Sequence, residues 1–203
     1  MEDIRVVGED VPKPARSFKE LGLGERLMKA VEKQNFLEPT PIQRQAVPVA
    51  LAGRDIIGIA KTGSGKTASF LWPLLIHIAA QPPLQKGDGP IGIIIAPTRE
   101  LAQQIYLEAC KYAKRMKLSV CPIYGGIPKA EQIKELKRGC EILVATPGRL
   151  MDIIKMKKIT NMRRVTYLVF DEADKMFNMG FEIQVRSIAS QVRPDRQSKL
   201  LPV

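Results

Sequence analysis

The sequence predicts a doubly wound α/β domain, with a mostly parallel sheet and helices on both faces. Three observations carry that prediction. Short, almost wholly apolar runs recur at residues 55–60, 91–96, 119–124, 142–145 and 165–170. Helical patterns separate them, at 67–80, 99–116, 129–137 and 149–155. The first run passes straight into a glycine-rich bend that opens a helix. A strand exposed on one side alternates apolar and polar residues, whereas an uninterrupted apolar run suits a strand buried on both faces, as in a helix-covered parallel sheet. Regular strand–helix repetition then selects the α/β class.

The elements follow in order. Residues 1–16 contain Pro12 and Pro14 and no apolar period, so they read as a tail or linker that docks on a domain spanning 17–203. A helix is expected over 24–34, where Leu23, Leu27, Ala30 and Val31 recur at helical spacing with Glu25, Lys29 and Glu32 outward. Pro39 and Pro41 break the pattern, and a second short helix is expected over 42–51. Residues 82–90 hold three prolines and two glycines and read as a surface loop. Residues 199–201 look like the start of one more strand.

Composition narrows the function classes. At 203 residues, 45% hydrophobic and 26% charged, the chain can bury one sizeable core and is not a disordered segment. A net charge of +11 favours polyanionic partners, most simply nucleic acid. The basic runs at 111–117 and 155–164 read as solvated helix faces. Cys110, Cys121 and Cys140 have no C-x-x-C spacing and suggest reduced thiols, not a disulfide framework or zinc site. His77, the single histidine, lies in an apolar run and reads as a packed helix residue, which disfavours chemistry that needs a histidine base. No stretch approaches the roughly 20 apolar residues of a membrane span, and the first five residues lack the apolar core of a secretory signal. A soluble intracellular chain with no membrane partner is expected.

The strongest local signal is Ala60-Lys61-Thr62-Gly63-Ser64-Gly65-Lys66-Thr67. It follows an apolar strand and opens a helix, the order a phosphate-binding P-loop requires, although Ala60 stands where the usual pattern begins with glycine. Glycines let the backbone wrap so that successive N–H groups point inward, and the helix start adds partial positive charge. Lys66 is placed to reach the β- and γ-phosphates of ATP, and the Thr67 hydroxyl to meet Mg²⁺. Downstream, an apolar strand ends in Asp171-Glu172-Ala173-Asp174. Ligand crevices of open α/β sheets lie at strand carboxyl ends, so Asp171 is expected beside the P-loop as a Mg²⁺ ligand, usually through water. Glu172 is then placed to orient or deprotonate an attacking water. The competing reading of this cluster is an acidic turn that caps a following helix through Asp174.

Asp171–Asp174 spells D-E-A-D, and with the P-loop the chain resembles the DEAD-box family of superfamily 2 RNA helicases. Further motifs match in the family's order. Phe36-Leu37-Glu38-Pro39-Thr40-Pro41-Ile42-Gln43 resembles the Q motif, with Phe18 at the upstream aromatic position. Pro97-Thr98-Arg99-Glu100-Leu101-Ala102 resembles motif Ia, Gly125-Gly126 the GG motif, and Thr146-Pro147-Gly148-Arg149 motif Ib. The resemblance implies a RecA-like lobe in which Gln43 reads the adenine edge of ATP and Phe18 or Phe36 supports the base pocket. It implies RNA-backbone contacts by Pro97, Thr98, Arg99, Gly125, Gly126, Thr146, Pro147, Gly148 and Arg149. Such contacts position a strand without reading its sequence. Residues 57–61 and the stretch from Met179 to Gln197 look closest to a spliceosome-linked branch. That likeness implies ribonucleoprotein or spliceosomal partners and a nuclear location, with cytoplasm as the alternative.

The family core has two RecA-like lobes, and this chain matches the first. A Ser-Ala-Thr motif is expected near Leu200, where the chain reads Ser198-Lys199-Leu200-Leu201-Pro202-Val203. The second lobe supplies arginine fingers, each worth about 10³ to 10⁵ in rate. The lobe alone is therefore expected to bind nucleotide, to hydrolyse it weakly and not to unwind RNA. The main reading is an RNA-dependent ATPase; the alternatives are a catalytically inactive nucleotide- or partner-binding scaffold, and a DNA helicase or other P-loop ATPase.

Overall fold

A computed structural model describes residues 4–156 and 159–202. Among these residues six strands form one sheet: β1 (Ile56–Ile57), β2 (Gly92–Ile95), β3 (Val120–Ile123), β4 (Ile142–Ala145), β5 (Tyr167–Asp171) and β6 (Gln197–Leu201). Their spatial order is β1-β6-β5-β2-β4-β3, and each pairing is parallel. Among the described residues eight α-helices accompany them: α1 (Gly24–Glu32), α2 (Pro41–Leu51), α3 (Lys66–Ala79), α4 (Arg99–Met116), α5 (Lys129–Arg138), α6 (Pro147–Lys155), α7 (Ala173–Asn178) and α8 (Glu182–Gln191).

The path of the chain explains why both faces are covered. From β1 through α3 to β2, and through α4 to β3, it steps toward one edge; from β3 it steps back through β4 and β5 to β6. Right-handed crossovers running in opposite directions place their helices on opposite faces. Side chains alternate across each strand, and the core divides accordingly. Ile94, Val144 and Val169 pack with α1 to α4, while Ile93, Ile95, Leu143 and Leu168 pack with α5 to α8.

Some elements differ from expectation. The run 55–60 yields only the two-residue edge strand β1, and it is not buried on both faces: Ile57 is 71% and Ile59 74% exposed. An edge strand has one neighbour, and among the described residues no helix covers this side of it. The two helices α7 and α8 were not delimited from the sequence. The first has six residues, and the second carries Ile183 and Val185 two apart, which reads as strand alternation although only Val185 and Ile188 turn inward. His77 lies in α3 with Nε2 2.8 Å from Thr166 Oγ1 and its ring 5.5 Å from that of Tyr167, both at the amino end of β5.

Candidate active site

Most candidate residues lie in the loops and helix starts that follow the strands, while Phe18 and Phe36 pack on Trp72 of α3. Residues 60–65 leave β1 as a tight bend in which Gly63 (φ 77°) and Gly65 (φ 83°) take left-handed conformations that side chains disfavour. Ser64 N–H donates to the Lys61 carbonyl at 3.3 Å, closing the turn. Gly65 has no room for a side chain: a Cβ there would lie 2.4 Å from Gln43 Nε2. α3 then begins at Lys66, so its first-turn N–H groups have no acceptor within the helix.

Lys66 is 7% exposed and donates from Nζ to the Pro202 carbonyl at 2.8 Å. Pro202 follows Leu201, whose register partner is Asp171 at the tip of β5. The P-loop ammonium and the Asp171 carboxylate thus lie near the same end of β6, close enough for the lysine's charge to act on the carboxyl. Asp171 is 4% exposed, and burial pushes its carboxyl from 3.8 up to about 6. The Lys66 charge and the Glu172 N–H, which donates to Oδ1 at 3.0 Å, pull it back. Glu172 caps α7 in a left-handed conformation (φ 50°) that is rare for a glutamate, and such strain persists only where the surroundings impose it. Its carboxylate accepts from Lys175 Nζ at 3.3 Å.

The arrangement fits a magnesium-bound phosphate. The Ser64 hydroxyl is buried without a hydrogen-bond partner, the Gly65 cradle excludes a side chain, and the helix start favours an anion. Among the described residues no three His, Cys, Asp or Glu side chains gather as a metal cage. Mg²⁺ needs none, since it is commonly held by one or two carboxylates plus substrate phosphates and water. Thr67 and Asp171 are the residues of this chain that would hold it.

Gln43 sits on α2 and is 2% exposed. Its Oε1 accepts from Thr40 N–H at 3.0 Å, and its Nε2 donates to the Gly65 carbonyl at 3.1 Å. The amide therefore joins the Q-motif turn to the P-loop and retains one N–H and one lone pair. Phe18 and Phe36 converge on Trp72 of α3, at ring-centroid distances of 5.9 and 6.2 Å, and lie 6.4 Å from each other. Phe36 is 41% exposed, so it rims the cluster instead of filling the core.

The loops after β2, β3 and β4 are tied together. Arg99 donates to the Gly126 carbonyl at 3.2 Å and lies over the Tyr124 ring, 5.6 Å from its centre. Arg149 donates to the Ile127 carbonyl at 3.2 Å and to Gln132 Oε1 at 3.3 Å. Gln132, 2% exposed, donates in turn to the Tyr124 carbonyl at 2.8 Å. Thr98 caps α4 through its hydroxyl, and Thr146, Pro147 and Gly148 open α6. The structure thus gathers Pro97–Arg99, Gly125–Gly126 and Thr146–Arg149 along one edge, with both guanidinium groups braced on backbone carbonyls. Sequence reasoning missed Gln132, Trp72, Lys175 and Pro202. Gln132 carried one faint signal, its spacing four residues before Leu136 on an otherwise charged helix.

Fold and site together define a P-loop nucleotide-binding α/β domain with a second, polar-lined surface beside its phosphate cradle. The DEAD/DEAH box helicase family model matches residues 40–201, and the chain belongs to that family. The DEAD-box ATP-dependent RNA helicase 24 of Oryza sativa is 60% identical over 197 residues, covering 97% of this chain and 26% of that protein. The human ATP-dependent RNA helicase DDX42 is 59% identical over 198 residues, covering 98% and 21%. Among solved structures, the RNA-helicase Prp28 from Chaetomium thermophilum bound to ADP superposes with a TM-score of 0.88 at 45% identity, over 96% of this chain and 47% of that one. The yeast DEAD-box splicing factor Prp28 also gives 0.88, at 38% identity and 96% and 48% coverage. The chain spans about a quarter of the length of the first of these relatives.

Proposed function

We propose that this chain is the ATP-binding lobe of an ATP-dependent RNA helicase, coupling RNA-stimulated ATP hydrolysis to duplex opening or ribonucleoprotein remodelling together with a second RecA-like lobe. The observation that carries the reading is the placement of two buried groups of opposite charge, Lys66 and Asp171, near the end of β6, the lysine held on the Pro202 carbonyl and acting on the carboxyl through its charge. A buried carboxyl whose proton affinity is raised by burial and lowered by a specific lysine is a feature that clusters at functional sites. In this reading residues 60–65 wrap the phosphates with backbone N–H groups, Lys66 exchanges the Pro202 carbonyl for a phosphate oxygen, and Gln43 presents its remaining N–H and lone pair to adenine. Phe18 and Phe36 support the base. Magnesium supplies charge neutralisation on the phosphate oxygens, held by Thr67 and Asp171. Glu172 orients or deprotonates the attacking water.

RNA lies along the 97–99, 125–126 and 146–149 edge, its backbone met by hydroxyls, helix-start N–H groups and the braced arginines. The name of the yeast relative as a splicing factor supports a spliceosomal ribonucleoprotein context and hence a nuclear location. Among the described residues no helix is long and apolar enough to cross a membrane. Calorimetric titration with ATP and magnesium tests the site: micromolar to millimolar binding that Lys66→Ala abolishes supports it, and no heat from the unmodified chain overturns it. RNA-stimulated ATPase of a two-lobe form, lost in Glu172→Gln, tests the activity, and equal stimulation by DNA would argue against RNA as the substrate.

A further inference from the structure

Residues 9–15 run beside α2 as a strap without regular secondary structure, bent at Asp10 (φ 48°). Arg54, just beyond the carboxyl end of α2, donates from Nη1 to the Asp10 carbonyl at 2.8 Å and from Nη2 to the Glu9 carbonyl at 2.5 Å. Gln45 Nε2 donates to the Pro12 carbonyl at 2.8 Å, and Ala15 N–H donates to the Arg44 carbonyl at 2.9 Å near the start of α2. The strap is therefore antiparallel to the helix and pinned at both ends. Five steps of chain from Asp10 to Ala15 reach at most roughly 17 Å, enough to pass from Arg54 back to Arg44 along the helix. Pro12 and Pro14 restrict the backbone at two of its positions, so ordering this stretch costs less entropy.

The opposite side of the same helix faces the nucleotide cradle. Gln43, Arg44 and Gln45 are consecutive: the first grips Gly65 in the P-loop, and the next two grip the strap. Arg54 closes the frame from behind, because its own carbonyl accepts from Gln197 Nε2 at 2.8 Å and from the Lys199 ammonium, both on β6. A Cβ at Gly65 would sit 2.4 Å from Gln43 Nε2, so the amide packs directly against the P-loop backbone. A small shift of α2 along its axis therefore moves the Gln43 amide off its line.

We propose that the strap is a specificity-positioning element: by clamping α2 through Arg54 and Gln45 it fixes Gln43 against Gly65 and so sets which base the site accepts. The inference rests on the reading of Gln43 as the base-facing amide. Arg54 and Gln45 touch no ligand in this scheme and act through Gln43.

The test is the ratio of dissociation constants for fluorescent ATP and GTP analogues on the 203-residue chain, with the melting temperature measured in parallel. Gln43→Ala is the control and is expected to erase the preference for adenine. Arg54→Ala, and independently Pro12→Gly/Pro14→Gly, are expected to cut the preference about three- to tenfold, the worth of one displaced hydrogen bond. Arg54→Lys, with a single donor head, is expected to fall between. A merely structural role would lower the melting temperature and weaken both nucleotides equally, leaving the ratio alone. That result in a chain whose Gln43→Ala form does lose preference overturns the strap proposal and spares the reading of Gln43. A Gln43→Ala chain with unchanged preference overturns both. Should Arg54→Ala fail to fold, the proline variant decides by the same ratio.

Discussion

Gln43 Nε2 donates to the carbonyl oxygen of Gly65 at 3.1 Å, so the Q-motif helix and the P-loop form one mechanical unit. Gly65 sits at φ 83° with the Gln43 amide 2.4 Å from where a Cβ would stand. Gly65→Ala therefore meets a left-handed penalty of about 1–2 kcal/mol and a clash that displaces Gln43. Urea denaturation is expected to register a loss of about 2 kcal/mol. Calorimetry is expected to show ATP affinity falling more than tenfold, out of proportion to that loss.

Asp171 shows a conflict between stability and site chemistry. Its folded-state value of about 6 lies above the unfolded value of 3.8, because burial disfavours the charge. Between these values the folded chain binds the extra proton, so this group makes stability fall as pH rises from about 4 to 6, then level off. Asp171→Asn removes that slope. The variant is expected to be more stable than the parent at pH 7 by up to about 3 kcal/mol, with the gap closing toward pH 4, while losing magnesium-dependent nucleotide binding. Parallel denaturation series of both chains across pH 4–8 check the sign.

Much of this site was legible because its chemistry is local in sequence. Residues 60–67 announce a phosphate cradle by their order alone, and Asp171 follows an apolar strand whose carboxyl end must share the cradle's edge. The helix 99–116 and the strand 142–145 have the expected bounds, since an N-cap threonine and uninterrupted apolar runs mark them. What escaped notice is relational. Nothing in a string of letters tells that Lys66 meets the Pro202 carbonyl 136 positions away, or that Arg99 and Arg149 brace the loop after β3. Edge exposure at Ile57 and Ile59 was equally hidden, because an apolar residue reads the same whether a helix covers it or not.

Lys199 gives the opposite pH signature to Asp171. It lies mid-β6, 2% exposed, its ammonium bonded to the Arg54 carbonyl and 5.4 Å from the centre of the Tyr167 ring. Burial pulls it from 10.5 down to about 7, partly offset by Asp55. Between those values the unfolded chain binds the extra proton, so stability from this group rises with pH from about 7 to 10.5 and is lowest below 7. Lys199→Met is expected to stabilise the chain at pH 6–7 by about 2–4 kcal/mol and to flatten the slope above neutrality. Thermal melts from pH 6 to 10 read both effects.

The two braced arginines are expected to respond differently to removal. Arg149→Ala deletes contacts to Ile127 and Gln132, and Arg99→Ala the contact to Gly126, without touching the P-loop. Each is expected to weaken RNA binding severalfold and to reduce its salt dependence by about one released counterion, with ATP affinity unchanged. Fluorescence anisotropy with a labelled single strand at several salt concentrations provides the slope. A loss of ATP affinity of the same size would place these arginines in fold integrity instead.

Glu172 couples backbone strain to chemistry. Its φ of 50° puts a non-glycine residue in the left-handed region while its N–H donates to Asp171 Oδ1 at 3.0 Å. Glycine adopts that conformation without the Cβ penalty. Glu172→Gly is therefore expected to keep or raise stability by up to about 1 kcal/mol, even though it deletes the ion pair with the half-exposed Lys175. Glu172→Gln keeps the strain and removes only the ionisable oxygen. Both variants are expected to bind ATP as the parent does and to lose RNA-stimulated turnover by about a hundredfold or more in a two-lobe form. If Glu172→Gly gained stability and Glu172→Gln did not, with turnover lost in both, the strain would be a cost borne to aim this carboxylate. Turnover surviving in Glu172→Gln would remove the residue from the reaction altogether.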